Sequence, residues 1–135
     1  MTNKLDYLIK YLLSERQDIK NIKIPETEHD KFNLYRSLVN IRPAATADES
    51  FLKAEDDFLT KLTAEKGITD IKDLTPTQDN IYLWQGDITS LKCGAIVNAA
   101  NSQMLGCFQP CHGCIDNAIP CSITHRYTTL SRASA

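Results

Sequence analysis

The sequence has no cysteine before position 93, one glycine in its first 78 residues and no surplus of positive charge. Each lack excludes something. Fifteen Lys and Arg stand against 17 Asp and Glu, a net charge of −2, so nothing is left over to neutralise phosphates and no nucleic-acid partner is expected. No apolar run approaches the roughly 20 residues of a membrane span, so no membrane partner is expected either. The opening MTNKLDYLIKYLLSER is charged and lacks the uninterrupted apolar core of a signal peptide, which makes a cytoplasmic protein the expectation. The five cysteines are an odd number, and their late clustering argues for metal or reactive thiols rather than a disulfide scaffold.

What is present changes character near position 78. Residues 1–78 hold 26 of the 32 charged residues, whereas residues 79–135 hold all five cysteines, four of the five glycines and six charges. The first part reads as a solvated helical unit and the second as a core carrying chemistry. Leu5, Leu8, Ile9, Leu12 and Leu13 make one apolar helix face. A second helix is predicted from about 26–28, with Phe32, Tyr35, Leu38 and Val39 inward, stopping before Pro43. A third is predicted from 47–48 to about 66, with Phe51, Leu52, Phe58, Leu59 and Leu62 inward. Asp48 and Glu49 lie in its first turn and Gly67 is its C-cap. The charges on these helices are expected to form a solvated face. After the linker DLTPTQD, Ile81-Tyr82-Leu83-Trp84 and Ala95-Ile96-Val97 read as strands, and such runs suit strands buried on both faces of an α/β sheet, although periodicity alone does not separate them from a buried helix segment.

The densest chemistry is Cys107, Cys111, His112 and Cys114 within eight residues. Thiolate sulfur and imidazole nitrogen are the usual zinc ligands. Cys107, His112 and Cys114 would make a three-ligand site with an open position, all four a closed structural site, and the bland reading is buried free cysteines. Asp87, in Gly86-Asp87-Ile88-Thr89 after a strand, can accept from a nucleobase amine or a ribose hydroxyl, or simply cap a turn. Asn98 and Asn101, in Asn98-Ala99-Ala100-Asn101 at a strand end, stand where ligands bind open α/β sheets, or cap a turn.

In order, QGDITSLKCGAIVNAANSQMLG resembles the opening of a macrodomain, the ADP-ribose-binding fold. The continuation CFQPCHGCIDNAI resembles the zinc-containing bacterial branch of that family, and the N-terminal helices resemble its helical extension. The resemblance covers roughly residues 1–119 and implies an α/β chain: a helical extension (1–78), then the first part of a three-layer α/β/α macrodomain (79–119). It implies a zinc-dependent hydrolase that removes ADP-ribose from modified proteins. The alternatives are a non-catalytic ADP-ribose-binding module or an inactive remnant. Residue by residue, it implies that Asp87 reads the adenine amine with Ile88 beside it. Asn98 and Asn101 would lie by the distal ribose, Asp116 would position or activate water, and Cys107, His112 and Cys114 would hold zinc. Cys111 falls where the family needs no ligand. A zinc ion lowers the pKa of a coordinated water to about 7, so hydrolysis near neutrality is chemically coherent.

After Ile119 the family expects His and the chain has Pro120. The Ser/Thr/Arg-rich remainder (120–135), with Cys121 and His125, has no apolar periodicity and is expected to be a disordered, non-family tail, as a frameshift near position 120 would produce. An impaired copy with little hydrolase activity is the corresponding expectation.

Overall fold

A computed structural model describes residues 2–16, 18–19, 22–42, 45–102 and 106–122. Pro43, positions 103–105 of the macrodomain-like motif and positions 123–135, His125 included, lie outside the described residues.

The three predicted helices form where the apolar spacing places them: α1 (Thr2–Ser14), α2 (Glu28–Asn40) and α3 (Glu49–Lys66). Thr27 starts α2 by accepting from the Asp30 amide at 3.1 Å, which satisfies one of the donors that a helix N-terminus leaves over. Gly67 ends α3 at φ 89°, a left-handed position that glycine takes without steric penalty. Leu5, Leu8, Ile9 and Leu12 of α1 pack with Tyr35, Leu38 and Val39 of α2 and with Phe51, Phe58 and Leu59 of α3 in one core. Tyr11 and Phe51 stack with centroids 4.4 Å apart, and Tyr35 meets Phe58 edge-on at 5.7 Å. Phe32, Leu52 and Leu62 are only partly buried against this core.

The expectation that these helices keep all their charges in solvent is corrected. Lys31, Arg42 and Glu55 are buried. Lys31 pairs with Asp6 at 2.8 Å, and Arg42 grips Glu15 with two bonds of 2.7 and 2.6 Å. The Tyr35 hydroxyl donates to Glu55 at 2.8 Å. Burial first, and then the Glu55 carboxylate, push that hydroxyl well above its usual range, so it remains a donor. Each buried charge has found a partner on another segment, which a single-helix pattern does not reveal.

The second half is α/β with little sheet. β1 (Thr69–Asp70) runs parallel to β4 (Leu91–Lys92), and β2 (Pro76–Gln78) pairs antiparallel with β3 (Ile81–Tyr82). Both sheets have two strands and join residues on either side of position 78. A 3-10 turn, Ile88–Ser90, leads into β4, and α4 (Ile115–Ser122) closes the described chain. Two strand expectations are corrected. Ile81-Tyr82-Leu83-Trp84 is a strand only over its first two residues, and Ala95-Ile96-Val97 is not one. Leu83 is 86% and Val97 87% exposed. A strand buried on both faces exists only with neighbours and covering helices; Ile81–Tyr82 has the single neighbour β2 and stays exposed, and Ala95-Ile96-Val97 pairs with no strand among the described residues.

Helix α4 also runs past Ile119 to Ser122, so Pro120–Ser122 is helical rather than the start of an irregular tail. Cys121 is 1% exposed, belongs to the helical core and accepts from the Asn40 amide nitrogen at 3.2 Å. Tertiary contact with α2 thus overrides the loss of sequence pattern. No described helix is long and apolar enough to cross a membrane.

Candidate functional site

Asp87 begins the Ile88–Ser90 turn. Its Oδ1 accepts from the Thr89 amide at 3.0 Å and from the Thr89 hydroxyl at 2.7 Å, and Lys66, the last residue of α3, reaches Oδ2 at 3.1 Å. The Thr89 hydroxyl, then the Thr89 amide and Lys66, hold the carboxyl below the usual carboxylate range. Asp87 is therefore a turn cap and an exposed anion together, with partly buried Ile88 next to it. Gly86 is needed for close approach: a Cβ there would meet the Trp84 ring at 2.2 Å. Trp84, Gly86, Asp87 and Lys66 line an open groove of about 600 Å³. A second cleft of about 130 Å³, lined by Phe32, Arg36, Lys66, Asp87, Thr89 and Ala118 among others, connects Asp87 to α2 and α4.

The segment from Asn98 to Asn101 is organised by Asp116 in the first turn of α4. Asp116, 6% exposed, accepts from Asn98 Nδ2 at 2.9 Å on Oδ1, and from the Asn101 amide and Nδ2, each at 3.4 Å, on Oδ2. Asn101 Nδ2 also donates to the Gly106 carbonyl at 2.8 Å. A carboxylate only accepts, so the Asn98 nitrogen faces Asp116 and its oxygen points away. That oxygen is buried and accepts no hydrogen bond among the described residues.

The loop that follows carries the metal-ligand types. One donor atom from each of Cys107, His112 and Cys114 lies within 4.8 Å of the others, and His112 Nδ1 stands 3.7 Å from Cys107 Sγ. Burial, and next the Cys107 thiol, push the Cys114 thiol up. Zinc bonds of about 2.3 Å to sulfur and about 2.0 Å to nitrogen would draw the widest of these separations together by about 1 Å. The donor set fits a tetrahedral, thiolate-preferring ion with one position free. Cys111 turns elsewhere. It sits at φ 54° in the turn Gln109–His112 and donates to the Asn33 carbonyl of α2 at 3.2 Å. The three-residue set is thus together and the fourth cysteine is outside it.

Residues that sequence reasoning passed over hold these parts in place. Lys66 and Arg36 come from the helical region, and Asn117, 0% exposed, bonds both Arg36 and the Gln109 carbonyl of the cysteine-rich loop. No local signal marks them, because their partners are distant in sequence.

Comparison with known proteins finds relatives over most of the chain. A protein-ADP-ribose hydrolase of Treponema medium is 46% identical over 117 residues, covering 84% of this chain and 45% of that protein. One from Staphylococcus aureus (strain MRSA252) is 48% identical over 117 residues, covering 86% and 44%. Over most of its length the chain is similar to proteins named protein-ADP-ribose hydrolase. It spans a little under half the length of these relatives. A probable bifunctional ADP-ribose hydrolase/ADP-ribosyltransferase of Fusarium oxysporum f. sp. cubense is 43% identical over 100 residues, 66% of this chain and 17% of that protein. No family model matches.

Proposed function

We propose that this chain carries the metal-binding and ribose-positioning part of a zinc-dependent hydrolase that removes ADP-ribose from modified proteins. The observation that carries the reading is the convergence on α4. Asp116 holds Asn98 and Asn101, and the Cys107–His112–Cys114 group is set against the start of the same helix. Cys107, His112 and Cys114 would hold zinc, which when bound supplies Lewis-acid polarisation at a position open to substrate.

The chain's own residues supply recognition and orientation. The unpartnered Asn98 oxygen takes a donor, as a ribose hydroxyl provides. Both Asp116 oxygens are engaged with the asparagines, so Asp116 acts first as a positioning group, keeping Asn101 at the reacting end. Asp87 accepts from the adenine amine, exchanging Lys66 for the ligand, and Ile88 offers apolar contact beside it. Turnover is expected to be slow in this chain. Strands of two and three residues give the nucleotide little rigid support, and loosely supported sites catalyse poorly.

Calorimetry with ADP-ribose on the zinc-loaded chain tests the reading. Binding is expected, and Asn98→Ala should weaken it at least tenfold. No heat with the wild-type chain, or equal affinity in the variant, overturns it. Release of ADP-ribose from a modified protein, stopped by a chelator, supports the hydrolase. Binding with no release at any metal concentration moves the reading to a binding module.

A further inference from the structure

We propose that Asn117 is the positioning residue that fixes the metal loop, with Arg36 of α2 as its anchor. This rests on the metal reading of Cys107, His112 and Cys114. The segment between β4 and α4 contains no helix or strand among its described residues, so ladder hydrogen bonds do not set its shape. Something else must hold three donor side chains near one point.

Asn117 is fully buried, and its short side chain works in both directions. Nδ2 donates to the Gln109 carbonyl at 2.8 Å and faces the Cys107 carbonyl at 3.5 Å. Oδ1 accepts from Arg36 Nη2 at 3.1 Å. The Gln109 carbonyl also accepts from the His112 amide at 3.2 Å, closing the turn that presents the imidazole. Meanwhile the Cys114 carbonyl accepts from the backbone amides of Asn117 and Ala118, both at 3.1 Å. All three metal-binding residues are therefore referenced to one amino acid: Cys107 through its side chain, Cys114 through its backbone, and His112 through the Gln109 carbonyl that the side chain grips.

The chemistry requires an amide at this position. Aspartate would set a carboxylate against two carbonyls, and an apolar residue would cost the Arg36 guanidinium its acceptor here and leave the Gln109 carbonyl with the His112 amide alone. Arg36 also selects the orientation of the amide, because a guanidinium only donates and must face the oxygen. The nitrogen is thereby aimed at the loop. Through Arg36, which lines the small Asp87 cleft, the helical region acts as a brace for the metal loop.

The experiment compares the full chain with Asn117→Ala, Asn117→Asp and Arg36→Ala. Zinc affinity is measured by chelator competition, and coordination by the absorption of the cobalt(II)-loaded protein at saturating metal. Both Asn117 variants should lose 10–100-fold in zinc affinity, as outer partners of metal ligands typically do. Their thiolate-to-cobalt charge-transfer bands should weaken while helical circular dichroism is unchanged. A merely structural role would not alter the cobalt spectrum of saturated, folded protein. Arg36→Ala leaves the loop sequence intact and should shift both readouts the same way by less; it decides the matter if the Asn117 variants do not fold. Wild-type affinity and spectrum in Arg36→Ala and in any folded Asn117 variant overturn the proposal. A wild-type chain that binds neither zinc nor cobalt overturns the metal reading itself, and this inference falls with it.

Discussion

Asn98 and Asp116 are 18 residues apart in the chain and 2.9 Å apart in space, amide nitrogen to carboxylate oxygen. This bond, with the Asn101 contacts to the other oxygen, ties an irregular segment to the first turn of α4. Asp116→Ala removes the acceptor of the Asn98 amide and one acceptor of Asn101, whose Nδ2 keeps the Gly106 carbonyl, a loss of about 1–3 kcal/mol where such groups stay buried. Asp116→Asn keeps the size but must turn its own nitrogen towards one of the donors. Both variants are expected to lose ADP-ribose binding at least tenfold while keeping the helical core, as read by calorimetry and circular dichroism. Unchanged binding in Asp116→Ala would show that the asparagines hold their places without it.

The Asp87 carboxyl should titrate below 3.8, the ordinary value for aspartate. Its folded pKa lies below its unfolded one. The stabilisation it gives is therefore present above the unfolded pKa and disappears as the pH falls through the folded value. Carboxyl-carbon NMR should place the midpoint low in the wild-type chain. Thr89→Val should raise it most and Lys66→Met by a smaller step, following the order of their contacts. A midpoint at or above 3.8 in the wild-type chain would mean that Lys66 and Thr89 do not engage Asp87 in solution.

Cys111 is expected to be dispensable for metal. It occupies a left-handed position at φ 54° that a side chain strains by about 1–3 kcal/mol, and its sulfur points to Asn33. Cys111→Gly should keep zinc affinity within about twofold, with thermal stability equal or higher, since glycine takes that backbone freely. Cys114→Ser should lose zinc outright. A similar loss in Cys111→Gly would establish a four-ligand, closed site instead.

The helices are legible in the sequence because each carries its own 3.6-residue apolar stripe, as with Leu5–Leu8–Ile9–Leu12, and because Gly67 marks the end of α3. The grouping of Cys107, His112 and Cys114 is legible because the donors crowd into eight residues. What the sequence hides is pairwise and distant. Glu55 is buried because Tyr35 reaches it from another helix, and Lys66 finds Asp87 across 21 residues. Arg36 meets Asn117 across 81. The strand expected at Ala95-Ile96-Val97 fails for the same reason. An apolar triplet becomes a strand only beside a partner, and Val97 instead stands 87% exposed.

The most direct test of the account is the metal content of the purified 135-residue chain after exposure to zinc and removal of the excess. One zinc per chain is expected for the wild type, and close to none when Cys107, His112 and Cys114 are replaced together by alanine. A zinc-free wild-type chain, or equal zinc in the triple variant, would contradict it.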